Sequence, residues 1–414
     1  MNKTTTGATY PLPSAHQRTA NSPLTARIDA VAAHPVWGIA CLIGILGVIL
    51  LVTYQIALPA SVWIQHLLVN SLGSLTRSAL AAAPEVLRVL VVDGLLAGMG
   101  TAFSFLPVLL VFFTALAFLE ETGYLLRASV VMDRYLIRLG LPGSACVPLS
   151  MAFGCNTPAV LGCRMLRDRR SQVLTMLLIP FVPCTSRLAT IIFLAPIFFG
   201  ARAPLVTGGL IVINLLVLMT TSSFAHKLSP HSVSKGFTLR LPDYRAPTLK
   251  GILTYIWKNI SEFMVKVGTL IPVLSLFVWA LSYFPTGDMH TSYLAALGRW
   301  LLPVGGWVGI SDWRFIVALL ASFISKENSI AVLGILFAGS ADGAFLSQIA
   351  AVLTPASALA FLVMQMLFVP CAATVAAIRH ESGRKPALLS IGLMLLASLV
   401  VGGVVYQLGR ALID

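Results

Sequence analysis

The chain has 414 residues, of which 57% are hydrophobic and only 10% charged. Soluble domains carry about 25% charged residues, so this composition excludes an ordinary soluble enzyme and implies a chain solvated mainly by lipid. The formal charge of +13 does not point to nucleic acid, because the basic residues cluster in short loops between apolar segments, the pattern that fixes membrane topology.

In chain order, residues 1–30 are polar, rich in Thr, Ser, Ala and Pro, and read as a disordered N-terminal segment. The apolar run 36–58 is too long for a signal-peptide core and is read as a retained anchor. Further spans are predicted at 101–119, 172–200, 204–224, 264–284, 313–338, 356–378 and 386–408. Each lies near the roughly 20 residues that a crossing helix needs. Segments 61–92 and 124–138 are amphipathic and read as interfacial. Segment 225–262 is the one sizeable polar loop and ends in a helical approach to the next span. The expected fold is all-α, a polytopic helical membrane protein. Its membrane halves are 31–224 and 263–414, and 225–262 forms a cytoplasmic loop with an amphipathic helix between them.

Counting crossings from a cytoplasmic N-terminus exposes two conflicts. Segment 140–163 is apolar but interrupted by Pro142, Pro148, Gly154 and Pro158. If it crosses, the run RMLRDRR from Arg164 to Arg170 lands outside, against the positive-inside rule; a re-entrant hairpin keeps it inside. Taking both 313–338 and 356–378 as full spans likewise puts RHESGRK, Arg379 to Lys385, outside, and making one of them re-entrant or broken repairs it. Each conflict adjoins a copy of one tetrapeptide, Phe181-Val182-Pro183-Cys184 and Phe368-Val369-Pro370-Cys371. Non-helical backbone at membrane depth is tolerated only where protein or a water-filled cavity satisfies it. Paired broken helices in corresponding halves point to a transporter's substrate site. The tetrapeptide is therefore read as the mark of an internal duplication, each copy lying in, or packing against, a discontinuous membrane element.

Two constellations carry candidate chemistry. In the first half, Gly154 to Pro158 reads Gly-Cys-Asn-Thr-Pro, followed later by Cys184-Thr185-Ser186-Arg187. Cys155 and Cys184 offer sulfur while Asn156, Thr157 and Ser186 offer oxygen, a mixed set that suits a divalent transition metal better than Mg²⁺ or Ca²⁺. The alternative is that these small polar residues only glue closely packed helices. Arg187, just inside a span, needs a carboxylate or carbonyl partner or must snorkel. In the second half, Lys326, Glu327 and Asn328 interrupt an apolar run, and Glu327 is expected near Cys371; a structural ion pair between the halves is the competing reading. Glu120 and Glu121 either concentrate cations at a pore mouth or are solvated at a helix end. Cys41 and Cys163 fit as small buried hydrophobes. The histidines fall in loops, ends or amphipathic pieces, and no phosphate-cradling G-x-x-x-x-G-K-[ST] occurs, so this chain reads as neither a nucleotide-driven engine nor an enzyme.

These motifs together resemble the membrane domain of the FeoB family of bacterial ferrous-iron transporters, from about residue 30 to the C-terminus. The likeness runs in order through IDAVAAHPVWG, VVDGLLAGMG, FLEETGYLLRASVVMDRYLIRLGLPG, MAFGCNTPAV, PFVPCTSRL, LPDYRAPTLK, SKENSIAVLGILF and TPASALAFLVMQMLFVPCAATVAAIRHESG. The resemblance implies two Gate halves with broken or re-entrant helices and an ion path lined by Cys155, Cys184, Glu327 and Cys371. It implies Fe²⁺ as the transported ion, with no tightly bound cofactor, in the bacterial inner membrane. Family members usually carry an N-terminal GTP-binding domain, so either a separate GTP-binding protein supplies it or the protein works without it. A small accessory protein and homo-oligomerisation are further partner expectations. The sequence departs from the commoner C-S-A-R-L-P at Cys184-Thr185-Ser186-Arg187-Leu188-Ala189, keeping a hydroxyl beside the thiol and losing a proline. That departure bears on substrate identity, and the alternatives are Mn²⁺, Zn²⁺, an organic solute such as a nucleoside, or a non-transporting membrane scaffold.

Overall fold

A computed structural model of the chain describes residues 37–79, 84, 88, 90–96, 103, 106–166, 168–228, 244, 246–285, 291–337, 349 and 352–412. The polar segment 1–30 and most of 225–248 lie outside them. The described residues contain no strand, as an all-α reading requires. The first half comprises α1 (Trp37–Gln65), which runs through a π-helical stretch into α2 (Leu72–Ala79), then α3 (Leu106–Glu121), α4 (Tyr124–Leu136), α5 (Cys146–Ala152), α6 (Asn156–Gly162), α7 (Arg169–Leu178), α8 (Thr185–Phe199) and α9 (Ala203–Leu228). The second comprises α10 (Leu249–Tyr283), α11 (Tyr293–Trp300), α12 (Leu302–Trp307), α13 (Trp313–Ala321), α14 (Asn328–Phe337), α15 (Pro355–Leu367), α16 (Ala372–Ser382) and α17 (Arg384–Leu412).

Several starts follow from local side chains. Asp168 accepts from Ser171 N at 3.0 Å, Thr248 from Gly251 N at 3.2 Å, and Thr354 from Ser357 N at 3.3 Å. Each closes an amide that the first helical turn leaves unpaired. The polar loop is shorter than its sequence suggests, because α10 is one 35-residue helix that joins the amphipathic approach to the span.

Among the described residues, four helical stretches are long and apolar enough to cross a membrane: Ala40–Ser61, Arg169–Lys227, Pro355–Ser382 and Arg384–Leu412. The second makes two passes. The chain turns at Gly200, whose φ is +50°, and Asn214 on α9 reaches back to the Phe181 carbonyl at 2.6 Å.

Segment 140–163 does not cross. Helices α5 and α6 have seven residues each, about 10 Å of rise against a hydrocarbon core of about 30 Å. They fold back on each other: a Cβ added to Gly162, the last residue of α6, would lie 3.7 Å from Pro148 near the start of α5. Gly154 is needed at the tip because a Cβ there would land inside the Phe112 ring of α3. Segment 313–338, read from sequence as a span, is also a hairpin. Phe315 near the start of α13 and Phe337 at the end of α14 have ring centroids 5.8 Å apart. The crossing conflict beside Arg379 is thus relieved by one hairpin and one broken helix, α15–α16.

The broken helix α15–α16 acts as a ruler for both hairpins. Along it, Phe361 packs on Phe315 at the base of α13–α14 with centroids 5.0 Å apart, and Val369 meets Lys326 at that hairpin's tip. Further on, Thr374 meets Thr157 at the tip of α5–α6, and Glu381 meets Arg164 at that hairpin's base. The hairpins therefore enter from opposite ends and their tips meet beside the breaks. The halves also interlock in packing. Leu188, Ile191 and Leu194 of α8 join the core around Phe315 and Phe361, while Ala377 and Ile378 of α16 join the core around Phe112 and Met176.

At one end of the bundle, Arg164 grips Glu381 through Nε and Nη2 at 2.9 and 2.5 Å, and Arg169 Nη2 donates to the Glu381 carbonyl at 2.8 Å. This bidentate pair joins the base of the first hairpin to the second half. In a double-mutant cycle of Arg164→Ala and Glu381→Ala, denaturation in mixed micelles should give a coupling of about 1 kcal/mol. A coupling of zero would make it a passive surface contact.

Candidate functional site

Four helical limbs begin where the hairpin tips meet the breaks: α6, α8, α14 and α16. The residue immediately before each is Cys155, Cys184, Glu327 and Cys371 respectively. The three cysteines have extended backbone, with ψ of 129°, 164° and 152°. The site residues matched by the resemblance thus share one structural position, the cap of a limb that restarts after an interruption. A repeated signal in the sequence, unused in reading it, marks the hairpins: Asn156-Thr157-Pro158-Ala159-Val160 and Asn328-Ser329-Ile330-Ala331-Val332. In that alignment Cys155 corresponds to Glu327.

The interruptions are built from the backbone outward. In an uninterrupted helix, the Phe181 carbonyl would accept from Thr185 N, and the Phe368 carbonyl from Ala372 N. Here Thr185 N donates to the Gly154 carbonyl at 3.3 Å and Ala372 N to the Phe323 carbonyl at 2.8 Å. Each break has lent its amide to the neighbouring hairpin tip. Thr185 Oγ1 reinforces the first loan with a 2.8 Å bond to the same Gly154 oxygen.

The carbonyls left behind are covered by side chains. Asn214 takes Phe181; Arg187 donates to the carbonyls of Pro180 and, at 3.0 Å, Phe368. Lys326 Nζ lies 2.8 Å from the Val369 oxygen and 3.4 Å from that of Phe368. Both side chains are fully interior, at 1% and 2% exposure, so backbone carbonyls rather than water accept from their nitrogens. Arg187 therefore takes carbonyl partners, one of the three options its position allowed.

Glu327 spans the halves: Ser186 Oγ donates to its Oε1 at 2.9 Å and Ser325 Oγ to its Oε2 at 2.9 Å. Its hydrogen bonds thus run to the first half, and it is Lys326 that reaches the second tetrapeptide. The Cys371 sulfur lies 3.1 Å from Thr374 Oγ1. Thr374 Oγ1 is in turn 3.4 Å from Thr157 Oγ1 on the first hairpin.

Cys155, Cys184 and Cys371 lie within electrostatic reach of one another. All three sit deep in the fold yet remain partly exposed, whereas Cys146 and Cys163 are buried. Asn156 Oδ1 and Gln365 Oε1 are buried without a hydrogen-bond partner among the described residues. No three His, Cys, Asp or Glu side chains among those residues form a ready coordination set. An ion at this point must draw on amide, hydroxyl or carbonyl oxygen as well as on thiol and carboxylate.

Glu121 belongs elsewhere. It accepts from Thr248 Oγ1 at 3.1 Å, at the start of α10. It lies nine residues along α3 from Phe112, which covers the first hairpin tip, a rise of about 13 Å. Glu120 precedes it on the last turn of α3.

A family model described as Gate, nucleoside recognition, matches residues 102–198 and 264–385. The Fe(2+) transporter FeoB of Methanocaldococcus jannaschii is 29% identical over 400 residues, covering 94% of this chain and 59% of that protein. The Fe(2+) transporter FeoB of Synechocystis sp. is 30% identical over 380 residues, covering 90% and 60%. A fusion of Fe(2+) transport protein A with Fe(2+) transporter FeoB from Porphyromonas gingivalis is 27% identical over 442 residues, covering 93% and 52%. The chain spans between 52% and 60% of the length of these relatives. No solved structure matches.

The carbonyl cover makes a direct prediction. Arg187→Met keeps an apolar stem but strands the Pro180 carbonyl, at about 1–3 kcal/mol, and leaves the Phe368 oxygen with only the 3.4 Å contact from Lys326. The variant should melt well below wild type in detergent, and Arg187→Lys should recover only part of the difference. A melting point equal to wild type for Arg187→Met would show that these carbonyls need no donor.

Proposed function

Because the chain belongs to the Gate family, we propose that this multi-pass membrane protein moves ferrous iron across the bacterial inner membrane. The path would pass the point where Cys155, Asn156, Cys184, Ser186, Glu327 and Cys371 gather. The observation that carries this reading is that three thiols within electrostatic reach of one another each head a restarted limb, and that Glu327, heading the fourth, is tied to Ser186 two residues beyond Cys184. The printed function of the relatives, Fe(2+) transport, supplies the substrate.

Sulfur together with amide and carboxylate oxygen suits a borderline divalent ion, and these ligands bind in their deprotonated forms. Helix N-termini are positive ends, and here several of them converge beside Arg187 and Lys326. Such surroundings weaken any bound cation. For transport that is useful, since an ion must leave as readily as it enters. Hairpins entering from opposite ends give each face of the site its own cover, a geometry suited to alternating access. The fused transport protein A in one relative supports a small accessory partner.

A second reading follows from the family's own description, nucleoside recognition. Asn156, Gln365 and the Thr157–Thr374 hydroxyls would then hydrogen-bond an organic solute.

Uptake of radiolabelled Fe²⁺ into proteoliposomes under reducing conditions tests both. Cys155→Ser, Cys371→Ser and Glu327→Gln should each lower the initial rate about tenfold or more, with Mn²⁺ and Zn²⁺ as competitors to define selectivity. Unchanged rates in all three variants would remove this site from the path. Uptake of labelled uridine with none of iron would favour the second reading.

A further inference from the structure

The two hairpin tips differ in length in a way that changes their chemistry. Between α5 and α6 the linker is residues 153–155, whereas between α13 and α14 it is residues 322–327. Gly154 and Phe323 play the same part, each accepting the amide lent by a break, and Cys155 and Glu327 each precede the second helix. The additional residues are therefore Ile324, Ser325 and Lys326. The insertion delivers an amine into the second break, and the first break has no such inserted group.

The surroundings of that amine are those of a bound cation. Its nitrogen faces the Val369 oxygen at 2.8 Å and the Phe368 oxygen at 3.4 Å, and stands 5.5 Å from the Phe368 ring centroid. Backbone carbonyls released from a helix and an aromatic face are both cation ligands. Arg187 shares the Phe368 oxygen, Cys184 and Cys371 lie within electrostatic reach, and the oxygens of Glu327 are taken by Ser186 and Ser325. Among the described residues no ion pair involves Lys326. A lysine serving as a structural ion pair would contact Glu327 directly; this one contacts oxygen dipoles.

We propose that the Phe368 and Val369 carbonyls form a cation-type site and that the Lys326 amino group is its permanent occupant. With that site filled from within the chain, a transported cation is left the groups that Lys326 does not occupy, Cys155, Asn156, Cys184, Ser186, Glu327 and Cys371. This confinement rests on the transport reading, while the occupied carbonyl site stands on the contacts alone.

The test removes the tethered amine and offers a free one. Lys326→Ala lacks the three methylenes and nitrogen that n-propylammonium supplies. In detergent, the variant should melt about 5 °C or more below wild type. Millimolar n-propylammonium should restore at least half of that loss, n-propanol should not, and wild type should respond to neither. Equal rescue by propanol, no rescue by either, or an alanine variant as stable as wild type would each overturn the proposal. If Lys326→Ala does not survive extraction, Lys326→Arg and Lys326→Met decide. Survival of arginine with loss of methionine supports a cation site, and any other result overturns it. Iron uptake by wild type is measured in parallel, so absence of flux would count against the transport reading while leaving the amine result intact.

Discussion

Backbone carbonyls released inside a membrane protein must find donors, and the interior of this fold is arranged around that need. Lipid offers no hydrogen bonds, so a helix that stops at membrane depth leaves oxygens that cost several kcal/mol each if unpaired. At both tetrapeptides the amide that would close the turn is given to a hairpin tip instead, Thr185 to Gly154 and Ala372 to Phe323. The abandoned oxygens then recruit Asn214, Arg187 and Lys326. The buried charges exist because the helices are broken, and the breaks are held open by the charges.

The same exchange ties the halves together. Arg187 belongs to the first half and donates to Phe368 of the second, while Glu327 of the second half accepts from Ser186 of the first. With α8 and α16 each packed into the other half's core, the duplicated units cannot be separated without opening both cores. The bases of the two hairpins differ in kind: aromatic at the second, where Phe315 meets Phe361, and polar at the first. The Arg164–Glu381 pair is that polar contact.

Much of this was legible in the residues. Positive charge at Arg164–Arg170 and Arg379–Lys385 implied that two apolar segments fail to cross simply, and the structure resolves them as hairpins and broken helices at those places. Cys155, Cys184, Glu327 and Cys371 were marked by breakers and charge in apolar runs. What sequence could not supply was partner choice. Whether Glu327 or Lys326 faces the second tetrapeptide depends on a linker length, 322–327 against 153–155, that has no hydropathy signature. The hydroxyl of Thr374 was passed over because it lies one helical turn beyond Cys371, and only the helix brings it to 3.1 Å. The repeated Asn-Thr/Ser-x-Ala-Val was visible, but its meaning depends on knowing that both copies open a helix.

Duplication supplies symmetry of backbone, and divergence at the four caps supplies the chemistry. Three of the caps carry sulfur and the fourth, Glu327, a carboxylate whose oxygens rest on Ser186 and Ser325. A site of four thiolates would hold Zn²⁺ or Cu⁺ tightly. Replacing one sulfur by a carboxylate, and placing Arg187 and Lys326 nearby, lowers affinity for every cation but penalises the softest most. Fe²⁺ lies low in the affinity order at any such site, so a path that discriminates in its favour cannot do so by binding strength. It can do so by refusing to hold competitors long enough to block the way. The halves are therefore asymmetric at their breaks: Lys326 covers the carbonyls of the second, while the shorter tip of the first brings no equivalent amine.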